Sequence, residues 1–368
     1  MNRDLKEKLA WTEPDSEFDR LESLAVRLAE ADGPADDGLE WPRELWNLLE
    51  QAGATRWSLA EEFGGTGCPR PLLVQRYAQL AGGSLTAVFI LSQHDAGVRR
   101  LQAAPECDVA IRWLRAIGEG RAFTTVGISH LTTSRRLGAQ PVKAVEVAPR
   151  LYRLDGTIPW VTAAHRADVL VTGAVLDDGR QMLIALPADR PGVEVRPPFP
   201  LAALQASCTT EVVLKDTRVA DSDLLAGPSS DILSNPGAVG TAGLETSALA
   251  LGQARAALAA LVDLSPARTD LAEPLEVLCE NWRTYWGQLI AQARGEPDAV
   301  SPGQIRTQAN ALVLRSTQAY LTARRGTGFL RTEPAQRWAR QALFFLVWSC
   351  PTPVAQAAIR DLAGLCQA

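Results

Sequence analysis

The stretch Leu151-Tyr152-Arg153-Leu154-Asp155-Gly156-Thr157-Ile158-Pro159-Trp160-Val161-Thr162-Ala163-Ala164 decides how the chain is read. Strand-forming residues flank Asp155-Gly156, and an Asp-Gly pair tolerates the positive backbone angles of a tight turn. The stretch therefore predicts a hairpin of 151–154 against 157–161. The arrangement recurs at once, with Val169 to Val175, a turn at Asp178-Gly179, and Gln181 to Leu186. Ala122 to Ile128 reads as a strand before them, and Val193 to Arg196 and Glu211 to Leu214 as two strands after. Short strands this closely spaced, with no helix between them, predict a compact β-barrel or sandwich.

On either side of these strands the period changes to that of a helix. Leu21, Leu24, Ala25 and Leu28 recur at helical spacing, with Asp15 or Ser16 as the expected cap. Pro42 suits the first position of the next helix, through Leu45, Leu48 and Leu49. Gly64-Gly65-Thr66-Gly67 lacks the Lys-Ser/Thr of a phosphate-binding loop and reads as a helix-breaking turn. Helices are expected over 71–80, 84–101 and 109–117. After Pro236 they return over 241–261, 274–294, 301–324, 337–348 and 354–365, and short connections favour an antiparallel bundle. The expected fold is α+β and multidomain. It has an N-terminal helical domain over 1–120, a middle β-barrel domain over 121–228 and a C-terminal four-helix bundle over 229–368.

Composition narrows the function classes. The 368 residues are 46% hydrophobic and 21% charged, with a formal net charge of -5. That is ordinary for a globular protein, and no basic run suggests a nucleic-acid surface. Cys68, Cys107, Cys208, Cys279, Cys350 and Cys366 are scattered without a CxxC pair, so neither a disulfide framework nor a metal site is expected. No signal peptide or stretch long enough to cross a bilayer is visible, and a cytoplasmic location is the expectation.

The order of elements and several motifs resemble the acyl-CoA dehydrogenase family. Leu59 to Gly67 is similar to its Pro-x-x-x-Gly-Gly-x-Gly segment, and Asp155 to Ala164 to its Gly-x-Lys-Trp-Ile-Thr-Asn-Ala strand. Thr209 to Val219 with Leu224-Leu225-Ala226-Gly227 resembles its last β-domain strand and the exit to the bundle. Gly326-Thr327-Gly328-Phe329, Glu333-Pro334, Arg337 and Arg340-Gln341-Ala342 resemble motifs near its end. The resemblance implies FAD between the β domain and the bundle, an acyl-CoA or other acyl thioester as substrate, and a homodimer or homotetramer. It places Trp160 beside the flavin and Thr162 at its ring edge, where a donor raises hydride-accepting power.

The departures from the family are as informative. Gly127 to Arg135 stands where the family has Thr-Glu-Pro-x-x-Gly-Ser-Asp. Ser129 and Ser134 there are candidate flavin contacts, or polar loop residues satisfying their own backbone. The family's catalytic Glu falls on Ser349, whose hydroxyl cannot take a proton from carbon without a base of its own. Its backbone N–H remains a candidate to polarise a thioester carbonyl. Ala242 fills the alternative base position. Glu245 lies one turn on, as a candidate base with a pKa raised by burial or as a carboxylate favoured near a helix N-terminus. Arg324 and Arg325 could take the FAD phosphates or stabilise a helix C-terminus. His94 is a candidate substrate contact or, with Asp95, an interior polar pair. His130 suits proton chemistry by its titration range. The missing base also leaves open a monooxygenase or oxidase on the same fold, or a non-catalytic member.

Overall fold

The computed structural model describes residues 2–36, 38–132, 138, 140–230, 232 and 243–365. The N-terminal part consists of α1 (Asn2–Lys8), α2 (Phe18–Ala35), α3 (Arg43–Gln51), α4 (Arg70–Gly83), α5 (Leu85–Gln102) and α6 (Asp108–Gly118). Leu21, Leu24 and Leu28 are buried along one stripe of α2, as their spacing predicts. Ser84 ends α4 and caps α5, its Oγ accepting from the Ala87 N–H at 3.1 Å. The expected cap of α2 is not made. Asp15 instead accepts from the Glu17 N–H at 2.9 Å and pairs with Arg76 at 2.8 Å, so its carboxylate is committed before the helix begins. The short α1, unexpected from the sequence, buries Leu5.

The middle of the chain forms β1 (Thr124–Gly127), β2 (Lys143–Ala148), β3 (Leu151–Val161), β4 (Val169–Leu176), β5 (Gln181–Pro187), β6 (Val193–Val195), β7 (Thr210–Ala220) and β8 (Leu224–Ser229). Pairing runs β6-β7-β3-β2-β4-β5-β8, with β1 parallel to β4. The turn expected at Asp155-Gly156 is absent, because β3 runs straight through it and pairs antiparallel with β7, from Leu151 opposite Ala220 to Val161 opposite Thr210. A bulge absorbs the pair instead. Gly156 takes φ +141°, and a Cβ there would lie 3.1 Å from the Val142 Cα. The Asp155 carboxylate accepts from the Asp216 N–H at 2.8 Å and pins the register. The second predicted hairpin forms, with β4 opposite β5 from Val169–Pro187 to Val175–Gln181.

β4 is buried on both faces. Leu170 and Ala174 join a β-domain core with Ile158, Met182 and Val212, whereas Val169 and Val171 pack with Val98, Leu101 and Leu114 of the helices. That double burial fixes the sheet against the helical layer.

The C-terminal part consists of α7 (Glu245–Leu264), α8 (Ala272–Arg294), α9 (Pro302–Arg324), α10 (Pro334–Ala342), the short α11 (Phe344–Val347) and α12 (Thr352–Leu362). The helix expected over 337–348 is broken after Ala342. Side chains of α9 take the carbonyls of its last turns, Asn310 Nδ2 donating to Phe345 O at 2.7 Å and Arg306 to Trp348 O at 2.9 Å. Contrary to the sequence expectation, 245–267 is long and apolar enough to cross a bilayer by composition. In this fold it is a core helix, with Ala248, Leu251, Leu258 and Leu261 buried. It crosses α4 so closely that a Cβ on Gly252 would lie 2.0 Å from the Ala78 carbonyl.

Candidate active site at the junction of the three parts

The end of β3, the Leu204–Thr209 loop, α5 and the α10–α11 segment converge. Ala163 and Leu204 belong to the same hydrophobic core as Phe89 of α5, and Arg340 of α10 donates to Ala202 O at 3.2 Å. Asp32 of α2 holds the bundle side in place through Arg337 at 2.9 Å, and Arg340 also pairs with Asp36. Backbone strain gathers here. Trp160, Ala163, Leu204 and Cys208 all have positive φ, between +48° and +60°. Each costs a side-chain-bearing residue free energy, and such outliers cluster at functional sites.

Trp160 leaves 46% of its surface open, touching Phe199 at 5.2 Å between ring centroids. Thr162, two residues on, is buried at the head of a chain of hydroxyls. Its Oγ1 lies 3.1 Å from Thr209 Oγ1, which lies 2.8 Å from Ser207 Oγ. Three hydroxyls sharing two hydrogen bonds leave one proton to spare, and with Ser207 donating to Thr209 and Thr209 to Thr162 the spare donor is Thr162. Thr162 is legible from the sequence, whereas its two partners, in the loop entering β7, are not.

The loop after β1 is partly defined by its own backbone contacts. Ser129 Oγ donates to Pro159 O at 3.0 Å, one residue from Trp160, and Ser134 lies outside the described residues. His130 is not poised for proton chemistry. It is fully buried with Nε2 donating to Gly173 O at 2.9 Å, and burial pushes its pKa down to about 4, so it is neutral at ordinary pH.

On the bundle side, Trp348 meets Phe89 edge-on at 4.7 Å and stacks near Phe344 at 5.4 Å. Ser349 follows it with φ +41°. The turn is held by the Arg306 bond to Trp348 O, and Arg306 is itself oriented by Asn310 Oδ1 at 3.0 Å.

Glu245 is placed otherwise than the sequence argument supposed. It opens α7 in a buried site, paired with Arg70 at 2.5 Å and Arg99 at 2.9 Å. Burial alone would raise its carboxyl pKa, but Arg99 and then Arg70 overcome that effect and hold it at about 2. A carboxylate so stabilised is a weak base. Its neighbours form a buried polar cluster, in which Asp95 accepts from Tyr77 and, at 2.7 Å, from Ser58. His94 is also buried. It stacks on Phe123 at 5.0 Å, its Nδ1 lies 3.1 Å from Thr124 O, and burial lowers its pKa. It is therefore an interior group rather than one presented by an open surface. Arg325, exposed at the end of α9, is brought beside the 265–271 segment, whose Arg268 donates to Ala323 O at 3.0 Å. Its neighbour Arg324 is committed to Glu333 at 2.8 Å.

With this geometry in view, the comparison with solved structures is decisive for the fold. A glutaryl-CoA dehydrogenase from Mycobacterium smegmatis, solved in complex with FADH2, superposes with a TM-score of 0.79 at 18% identity, over 97% of this chain and 96% of that one. This is the acyl-CoA dehydrogenase fold. Sequence relatives carry the same family name. The probable acyl-CoA dehydrogenase YngJ of Bacillus subtilis is 24% identical over 244 residues, 64% of this chain and 63% of the relative. The benzylmalonyl-CoA dehydrogenase of Aromatoleum aromaticum is 25% identical over 252 residues, 68% of this chain and 67% of that protein. The chain thus matches somewhat under two thirds of the length of the Bacillus relative. No family model matches the chain.

Proposed function

We propose that the protein is an FAD-dependent oxidoreductase of the acyl-CoA dehydrogenase type, acting at the Trp160–Thr162 end of β3 on an acyl thioester. The observation that carries this is the open Trp160 ring on strained backbone, next to the Thr162–Thr209–Ser207 hydroxyl chain, which has one more proton than its two hydrogen bonds use. These residues fit an isoalloxazine: an uncovered aromatic face for the ring and a neutral donor for its polar edge. The Mycobacterium smegmatis neighbour, of the same fold, was solved with FADH2.

When bound, FAD supplies a two-electron acceptor that can take a hydride. Trp160 would pack against the ring and Thr162 would donate to its polar edge. The Ser349 N–H polarises the thioester carbonyl, and the phenyl and indole rings of Phe89, Phe344 and Trp348 exclude water beside it. α,β-Dehydrogenation removes a hydride from the β carbon and a proton from the α carbon, leaving a double bond. Ser349 offers no side-chain base for that proton, and Glu245 is held ionised by its two arginines. The same two facts favour a second reading, an oxidase or monooxygenase that needs no carboxylate at this position.

Anaerobic addition of acyl-CoA thioesters to the FAD-loaded protein separates the two. Bleaching of the flavin band supports dehydrogenation. No bleaching by any thioester refutes the first reading; the second is then supported if oxygen uptake with a supplied reductase depends on an added organic substrate and exceeds that of the reductase and flavin without this protein.

A homodimer or homotetramer is part of the proposal. Phe329, Leu330, Leu343 and Val347, with Ile359 and Leu362 of α12, leave large apolar side chains open on the bundle. The described cysteines are all unpaired, which supports a reducing, cytoplasmic setting.

A further inference from the structure

We infer that the cleft between α3 and the β domain is a second binding site, built for a small aromatic anion. The cleft, of about 670 Å³, is walled by Trp41, Trp46, Arg43 and Glu50 on the helical side and by His165 and Arg166 on the other, and it adjoins the strained junction at Ala163 and Cys208. Through Trp46, Glu50 and Arg166 it continues into a narrower extension of about 100 Å³ beside His94 and Phe123.

The floor of the cleft is aromatic and rigid. Trp41 lies 5.5 Å from Trp46 and 5.9 Å from Phe123, and Trp46 lies 5.1 Å from Phe123, all measured between ring centroids. Glu50 accepts from Trp46 Nε1 at 2.8 Å, which fixes that indole and uses part of the one carboxylate in the main cleft. Trp46 is buried, whereas Trp41 stays partly open and offers a face for a flat ring.

The rim carries two uncommitted cations. Several exposed arginines of this chain are paired, such as Arg20 with Glu17 and Arg180 with Asp178, while others, such as Arg27 and Arg56, have no ion pair among the described residues. Neither Arg43 nor Arg166 has an ion pair or side-chain hydrogen bond among the described residues, although the chain is acidic overall. Arg43 moreover opens α3, where positive charge is disfavoured by the helix dipole. A bound anion would offset that cost. In the extension Arg121 is paired with Glu119, and Asp168, which accepts from the Phe123 N–H at 2.7 Å, keeps its negative charge and directs an anion to the Arg43 and Arg166 end.

A planar ring against Trp41 with an acidic group between Arg43 and Arg166 satisfies the site. A guanidinium binds either a phosphate or a carboxylate in forked geometry. A nucleoside monophosphate and an aryl carboxylate both have this chemistry, and a titration separates them. AMP and phenylacetate are titrated separately by calorimetry, at low ionic strength, into protein loaded with FAD and freed of unbound FAD by gel filtration. Inorganic phosphate and acetate serve as ringless controls.

Saturable binding of AMP or phenylacetate is expected. It should weaken at least about tenfold in the Arg43→Gln/Arg166→Gln variant, and also in Trp41→Leu, with circular dichroism unchanged in both. The tighter of the two ligands identifies the source. Binding of phosphate or acetate as tight as that of the ring-bearing ligands overturns the inference. So does binding undiminished in the variants, or no saturation by either aromatic anion at millimolar concentration.

Discussion

Replacing Glu245 with Gln separates a structural carboxylate from a catalytic one. In the native protein Arg99 and Arg70 hold its pKa at about 2, against 4.5 for a free glutamate. At about 1.4 kcal/mol per pH unit, that difference is worth about 3 kcal/mol of folding stability at neutral pH. Removing the charge also strands Arg99 without its counter-ion in a buried site, a change that typically costs about 3–5 kcal/mol. The two estimates agree, and the loss is large beside the total stability of most domains. Because the folded pKa is depressed, the contribution is complete above about pH 4.5 and disappears as the pH falls toward 2. Denaturant unfolding followed by circular dichroism should therefore show Glu245→Gln strongly destabilised at pH 7. The gap to the native protein should fall to less than half that size by pH 3. A variant that unfolds like the native protein at pH 7 refutes the clamp. Lost turnover with unchanged stability would return Glu245 to the role of base.

Other outcomes follow from the same geometry. His130, held down at about pKa 4, binds a proton more readily unfolded than folded, so stability should rise between about pH 4 and 6.5. His130→Gln should flatten that slope in a pH series of thermal midpoints, leaving the lower window of Glu245 intact. Trp160→Ala removes an open ring whose aromatic neighbour among the described residues is Phe199. It should weaken FAD binding by about two- to tenfold while leaving the thermal midpoint near that of the native protein. Ser349→Glu places a carboxylate where the resemblance expects the base, on backbone already at φ +41°. Thioester-dependent flavin bleaching should accelerate by roughly 10²–10⁴-fold, and an unchanged rate would count against dehydrogenation at that position.

The helix–strand–helix order was legible because it rests on local periodicity, which Leu21, Leu24 and Leu28 or the β4–β5 hairpin express without outside help. Asp155-Gly156 was misread for the opposite reason. Its turn chemistry is genuine, but pairing with Thr217 and Leu214 on either side of the bulge, some sixty residues downstream, overrides it. The break after Ala342 likewise depends on Asn310 and Arg306, which no window around residue 343 contains. Trp160 and Thr162 were picked out through resemblance, while Ser207 and Thr209 gave no signal beyond being hydroxyls at a strand entrance. Glu245 shows where local reasoning fails most. Burial was a sound expectation, yet the sign of its pKa shift was decided by Arg70 and Arg99, brought to it by α4 and α5.

The central claim, that the Trp160–Thr162 junction holds a flavin, is tested most directly by the visible absorption spectrum of the protein after incubation with FAD and gel filtration. The account predicts an oxidised-flavin band that elutes with the protein and is diminished in Trp160→Ala. Protein that emerges colourless after incubation with excess FAD would contradict it.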